Sequence, residues 1–162
     1  MAEDASTVPS AMDELHRAEQ LLTLALRATV VGHGDCAPLQ GAYARTLGAA
    51  GDDARQAHFV FIRCLALNGR RRLSVHLPRC PMVSADELAI LEVIALAQRP
   101  AQHERLLTRL GDLLEAAPTA TTVQVAAWLG QILADAGRLL PLRTFDGLSA
   151  PVPRPGLSTS LH

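Results

Sequence analysis

The chain has 162 residues, 49% of them hydrophobic and 19% charged, which suits one globular domain whose core needs no disulfide or metal staple. All fifteen basic residues are arginine, so a Schiff-base lysine, a P-loop lysine and a lysine general base are excluded. The formal net charge of −1 opposes general binding to nucleic acid or an anionic membrane and leaves only a local basic patch for that purpose.

Cys36, Cys64 and Cys80, with no secretory signal ahead of them, read as reduced thiols of a cytoplasmic protein. The apolar run 21–31 is broken by Arg27 and is too short for a bilayer span, so no membrane is implied. Composition divides the chain into a mobile N-terminus at 1–9, a single helical domain at 10–140 and a Pro-rich mobile tail at 141–162.

Ser10 and Asp13 resemble a capping pair, and Leu15, Ala18, Leu22, Ala25, Leu26 and Thr29 recur at helical spacing opposite Arg17, Gln20 and Arg27. Gly32, Gly34, Asp35 and Pro38 make a turn, and 39–47 reads as a short helix ended by Gly48. Asp52 or Asp53 caps a helix that runs to the Asn68-Gly69 stop. Its run from Phe59 to Leu67 is almost wholly apolar, which predicts packing against the most hydrophobic helix of the chain.

That helix spans 84–98. Ser84 and Glu87 form a capping box, Val83 and Leu88 a hydrophobic staple, and only Glu92 interrupts the apolar run that follows. The alternating segment 73–77 before it predicts an extended connector with no strand partner in its own chain, or one that pairs with a second copy.

Pro100 opens the next helix, with Leu106, Leu107, Leu110, Leu113 and Leu114 on one side. His103 falls near that side, as a half-buried edge residue. After Pro118, Thr121 and Gln124 can box a last helix ending at Gly137, and Ala126, Ala127 and Gly130 permit a close helix approach. The predicted fold is all-α: a compact bundle of five or six helices around a central apolar helix, with one short extended connector.

His33-x-x-Cys36 and His76-x-x-x-Cys80 supply imidazole and thiolate in two turns, the ligand types zinc prefers, and form the candidate metal set. Arg70, Arg71, Arg72 and Arg79 form a basic patch suited to phosphates. The helix that would enter a groove is too apolar for base edges, however, and arginines past a helix C-terminus are expected from the helix dipole. Asp86 and Glu87 are adjacent carboxylates, but both fall in a capped first turn. The residues after His58 are too apolar for a phosphotransfer helix. The segment Pro151-Val152-Pro153-Arg154-Pro155 has the composition of a polyproline ligand.

The stretch Pro78-Arg79-Cys80-Pro81-Met82-Val83-Ser84-Ala85-Asp86-Glu87, together with His33-Gly34-Asp35 and Asp135-Ala136-Gly137-Arg138-Leu139-Leu140-Pro141, resembles a family of short helical proteins of alphaproteobacteria, sphingomonads in particular. The resemblance covers residues 15–142 and implies a single helical bacterial domain, with no activity attached. Members of that family carry adjacent cysteines in the turn, whereas Cys80 is followed here by Pro81.

The functional expectation is a non-enzymatic interaction or regulatory module, with an unknown protein partner or self-association. The alternative is a small zinc-binding or cysteine-based redox protein. Nucleic-acid binding through Arg70–Arg72 ranks below both.

Overall fold

The computed structural model describes residues 8–143 and 159–160. Six α-helices form the bundle: α1 Arg17–Val30, α2 Ala37–Leu47, α3 Gly51–Asn68, α4 Ala85–Ala97, α5 His103–Leu114 and α6 Ala120–Asp135. Among the described residues there are also three 3-10 turns and two short strands, β1 Ser74–Val75 and β2 Thr159–Ser160.

The central helix is α4. Ser84 Oγ accepts the Glu87 N–H at 3.1 Å and Glu87 Oε2 accepts the Ser84 N–H at 2.8 Å, the reciprocal box that fixes its start. Ile90, Leu91, Val93, Ile94, Ala95 and Leu96 are all buried, because α1, α5 and α6 pack around it. Gly130 lets α6 come close: a Cβ built there would lie 2.8 Å from the carbonyl carbon of Ala97, nearer than any side chain tolerates. On α5 the buried stripe is Leu106, Leu110, Leu113 and Leu114, as the leucine spacing predicts, whereas His103 is exposed rather than half-buried.

Several local expectations are corrected. The residue capping α6 is Thr119, whose hydroxyl accepts the Thr122 N–H, so the start lies ahead of Thr121. Ala50 stands at the N-cap of α3, and Asp52 and Asp53 lie inside its first turn, where they still favour the positive end of the helix dipole. Pro100 lies in a 3-10 turn, Pro100–Gln102, that leads into α5.

A larger correction concerns α3, which packs chiefly on α2 and α6 rather than on α4. Its apolar run is divided between two faces. Phe61, Ile62 and Leu65 point inward, while Phe59, Val60 and Leu67 remain on the surface.

The extended segment also finds a partner. β1 pairs antiparallel with β2, with Ser74 opposite Ser160 and Val75 opposite Thr159. Residues 10–12 run along 81–83 on another edge, where Val83 N–H donates to the Ser10 carbonyl at 2.9 Å and Met12 N–H to that of Pro81 at 2.8 Å. Past α6, Leu140 is buried and Arg143 closes back onto the buried carboxylate of Glu19.

Candidate functional site

Arg27 organises the molecule around the candidate metal turns. The helical period places it among the polar residues of α1, yet it is fully buried, as is Glu87. Nε and Nη2 donate to the two carboxylate oxygens at 2.7 and 2.9 Å, a bidentate pair between α1 and α4. The remaining donor capacity goes to backbone carbonyls: Nη1 to Cys80 at 2.7 Å and Nη2 to Met82 at 2.5 Å. Glu87 in turn accepts the N–H groups of Ser84 and His76. Both charges are therefore fully satisfied in the interior, the condition under which such burial is tolerated.

The same contacts draw 77–82 to the C-terminal end of α1, where the turn holding His33 and Cys36 also begins. The proposed ligands nevertheless do not assemble. Among the described residues no three His, Cys, Asp or Glu side chains are placed to hold a metal ion, so His33, Cys36, His76 and Cys80 form no such set. In this turn the backbone carbonyls of Cys80 and Met82 are given to the Arg27 guanidinium instead.

The basic patch is smaller than its sequence. Arg71 forks onto Asp86, Nη2 to Oδ1 at 2.5 Å and Nη1 to Oδ2 at 3.1 Å, and its Nε donates to the Leu113 carbonyl. That pairing raises the Arg71 pKa further above its ordinary value, so its charge is already committed. Asp86 also accepts the Ser74 N–H at 2.6 Å, so this carboxylate ties β1 to α4 rather than serving as half of an acid-base pair. Arg70, Arg72 and Arg79 remain exposed. Arg70 to Arg72 border a cleft of about 150 Å³. It lies at the carbonyl end of α3, where the helix dipole disfavours an anion.

His58 and Tyr43 form a buried polar pair, Nδ1 to Oη at 2.7 Å. Burial pushes the His58 pKa down to about 3 and that of Tyr43 up. Nε2 of His58 meets no partner. A ring enclosed on all sides offers no face to a substrate or a phosphate donor, which removes the phosphotransfer reading. The polyproline segment 151–155 lies outside the described residues.

What the sequence reading missed is an apolar face across α3 and α6. Asn68 Nδ2 donates to Thr122 Oγ1 and Arg138 Nε to the Thr46 carbonyl, so the C-terminal end of α3 meets the start of α6 and the helices run antiparallel. Val60, Cys64 and Leu67 follow one edge of α3 at helical spacing, and Val125, Trp128 and Ile132 follow one edge of α6. Leu67 is 76% exposed, Trp128 46% and Phe59 39%. Arg63 covers part of the Phe59 ring, its Cζ 6.0 Å from the centroid. Trp128 is the only tryptophan in the chain. The signal for this face was present in the unbroken apolar run 59–62, too wide for one buried stripe.

Among the described residues no helix is long and apolar enough to cross a membrane. No family model, curated protein or solved structure matches the chain.

Proposed function

We propose that the protein is a non-enzymatic interaction module and that the α3–α6 face is its contact surface. The observation that carries this reading is the exposure of Phe59, Val60, Leu67 and Trp128 on adjoining helices of one tightly packed bundle. Aromatic and arginine side chains are the groups that most often anchor protein interfaces, and Trp128, Phe59 and Arg63 supply them here. The carboxylates that would serve acid-base chemistry, Asp86 and Glu87, are instead held by Arg71 and Arg27.

Capture from an extract of the source cells tests the reading, with wild type and two surface variants, Trp128→Glu and Leu67→Glu, as baits. A stoichiometric protein retained by wild type, retained equally by a chain with all three cysteines changed to serine, and lost with both face variants is the expected result. A partner that ignores both substitutions, or that is lost with the cysteines alone, removes the α3–α6 face from the proposal.

A further inference from the structure

We infer that the partner of the α3–α6 face is a second copy of the same chain, seated with its α3 antiparallel across a two-fold axis. This rests on the reading of that face as a docking surface and adds its occupant.

The argument comes from how charge is laid out along the face. The first turn of α3 carries Asp52 and Asp53, and α6, running the other way, ends beside it with Asp135. Asp52 is already engaged by Arg55, but Asp53 and Asp135 have no cationic partner among the described residues. Arg138 also lies at this end and keeps its charge while its Nε donates to the Thr46 carbonyl, so the end is acidic because Asp52, Asp53 and Asp135 outnumber Arg55 and Arg138. At the opposite end, past Asn68, stand the exposed Arg70 and Arg72, while the nearby Glu115 acts on Arg71.

Between the two ends the seam itself is apolar: Val60, Leu67 and Trp128 are exposed and Cys64, Val125 and Ile132 half-buried, with Arg63 and Phe59 flanking it on α3. One face that runs from acidic through apolar to basic is complementary to itself when turned end for end. A two-fold axis supplies that operation, and it makes each contact twice.

The position of the axis follows from the same residues. Midway between Asp53 and Arg70 is the level of Phe61 and Ile62. Counting equal steps back from Asn68 and forward from Thr122 sets Trp128 level with Ile62 as well, so the two tryptophans would meet near the axis with the ion pairs outside them. Large apolar anchors at the centre with charges at the rim is the usual arrangement of a protein interface. A helix pair crossing its copy over this length can reach the buried area of a modest but specific dimer, about 1,200–2,000 Å² in total.

Sedimentation velocity over about 1 to 100 μM protein tests this, with folding of each variant checked by circular dichroism and thermal melting. Wild type is expected to shift from monomer to dimer as concentration rises. Trp128→Glu and Leu67→Glu, both at exposed positions, should each weaken the dimer by about tenfold or more. Asp53→Arg and Arg70→Glu should each weaken it too, and their combination should recover much of the loss, because the exchanged charges again face one another. In a chain with Cys36→Ser and Cys80→Ser, a short bifunctional maleimide should join two copies through Cys64.

Wild type that stays monomeric throughout this range overturns the inference, as does a dimer indifferent to Trp128→Glu. A monomer whose Trp128→Glu variant still loses a different captured protein separates the two ideas: the face docks something, but not its own copy.

Discussion

Tyr43 Oη lies 2.7 Å from Nδ1 of His58 in the core between α2 and α3, and the other ring nitrogen is buried without a hydrogen-bond partner. Burial holds His58 at a pKa of about 3, against 6.5 for a free ring. Between those values the unfolded chain binds a proton that the folded chain refuses. The stability contributed by the neutral ring is therefore complete above the unfolded value and declines as pH falls toward the folded one, by about 1.4 kcal/mol per pH unit. Urea unfolding at about pH 7 and about pH 5, above most carboxylate titration, should show this slope in wild type and a flatter one in a Tyr43→Phe, His58→Leu double variant. Equal slopes would mean that His58 is not the neutral buried group described.

The Arg27–Glu87 pair predicts a strong asymmetry between single and double substitutions. Arg27→Met leaves the Glu87 carboxylate buried without its cation and should cost about 3–5 kcal/mol. Changing both, Arg27→Met with Glu87→Leu, should cost less than the sum of the two single changes. Recovery will be partial, since the Cys80 and Met82 carbonyls lose their donor in either case. A double-mutant cycle on unfolding free energies gives the coupling. A coupling near zero contradicts the buried pair.

Two glycines in helix interiors should respond with opposite signs. At Gly111 an added Cβ meets nothing closer than 3.8 Å, so Gly111→Ala should stabilise through helix propensity, by about 0.4–1 kcal/mol. At Gly130 the added carbon strikes the backbone of Ala97, which has no rotamer to move aside. Gly130→Ala should therefore destabilise by about 1–3 kcal/mol despite the same propensity gain. Melting temperatures moving in the same direction would refute the close approach of α6 to α4.

Ile94 is wholly buried at the centre of α4. Ile94→Asp puts an unpaired carboxylate there at several kcal/mol, against a total stability on the order of 10 kcal/mol, and should leave the chain unfolded or molten. Cooperative melting within a few degrees of wild type would deny α4 its central place.

Where the determinant is local, the sequence was sufficient. Ser84 and Glu87 announce the start of α4 within four residues, the leucine spacing gives the buried side of α5, and Asn68-Gly69 ends α3. Reading failed where the determinant is a partner far along the chain. Arg27 sits among residues whose spacing sends charges to solvent, and nothing within α1 says that Glu87 will meet it. The 73–77 segment looked unpaired because its partner β2 lies in a region without periodicity. The packing of α3 is not legible because an almost wholly apolar run states that burial is favoured without stating by what. Chemistry-bearing residues mislead for a related reason: His33, Cys36, His76 and Cys80 have ligand spacing in one dimension, while in three the turn around Cys80 offers its backbone carbonyls to Arg27.

The fork of Arg27 also limits which partly open forms the molecule can visit. Its guanidinium is shared among a carboxylate on α4 and the carbonyls of 77–82, so α1 cannot lift away without stranding Glu87, and the 77–82 turn cannot loosen without stranding Arg27. Neither half opens cheaply alone. The backbone amides of the C-terminal turns of α1 and those of Cys80, Met82 and Val83 should accordingly exchange with deuterium as one cooperative unit, although the second group belongs to no helix and would ordinarily be among the first to exchange.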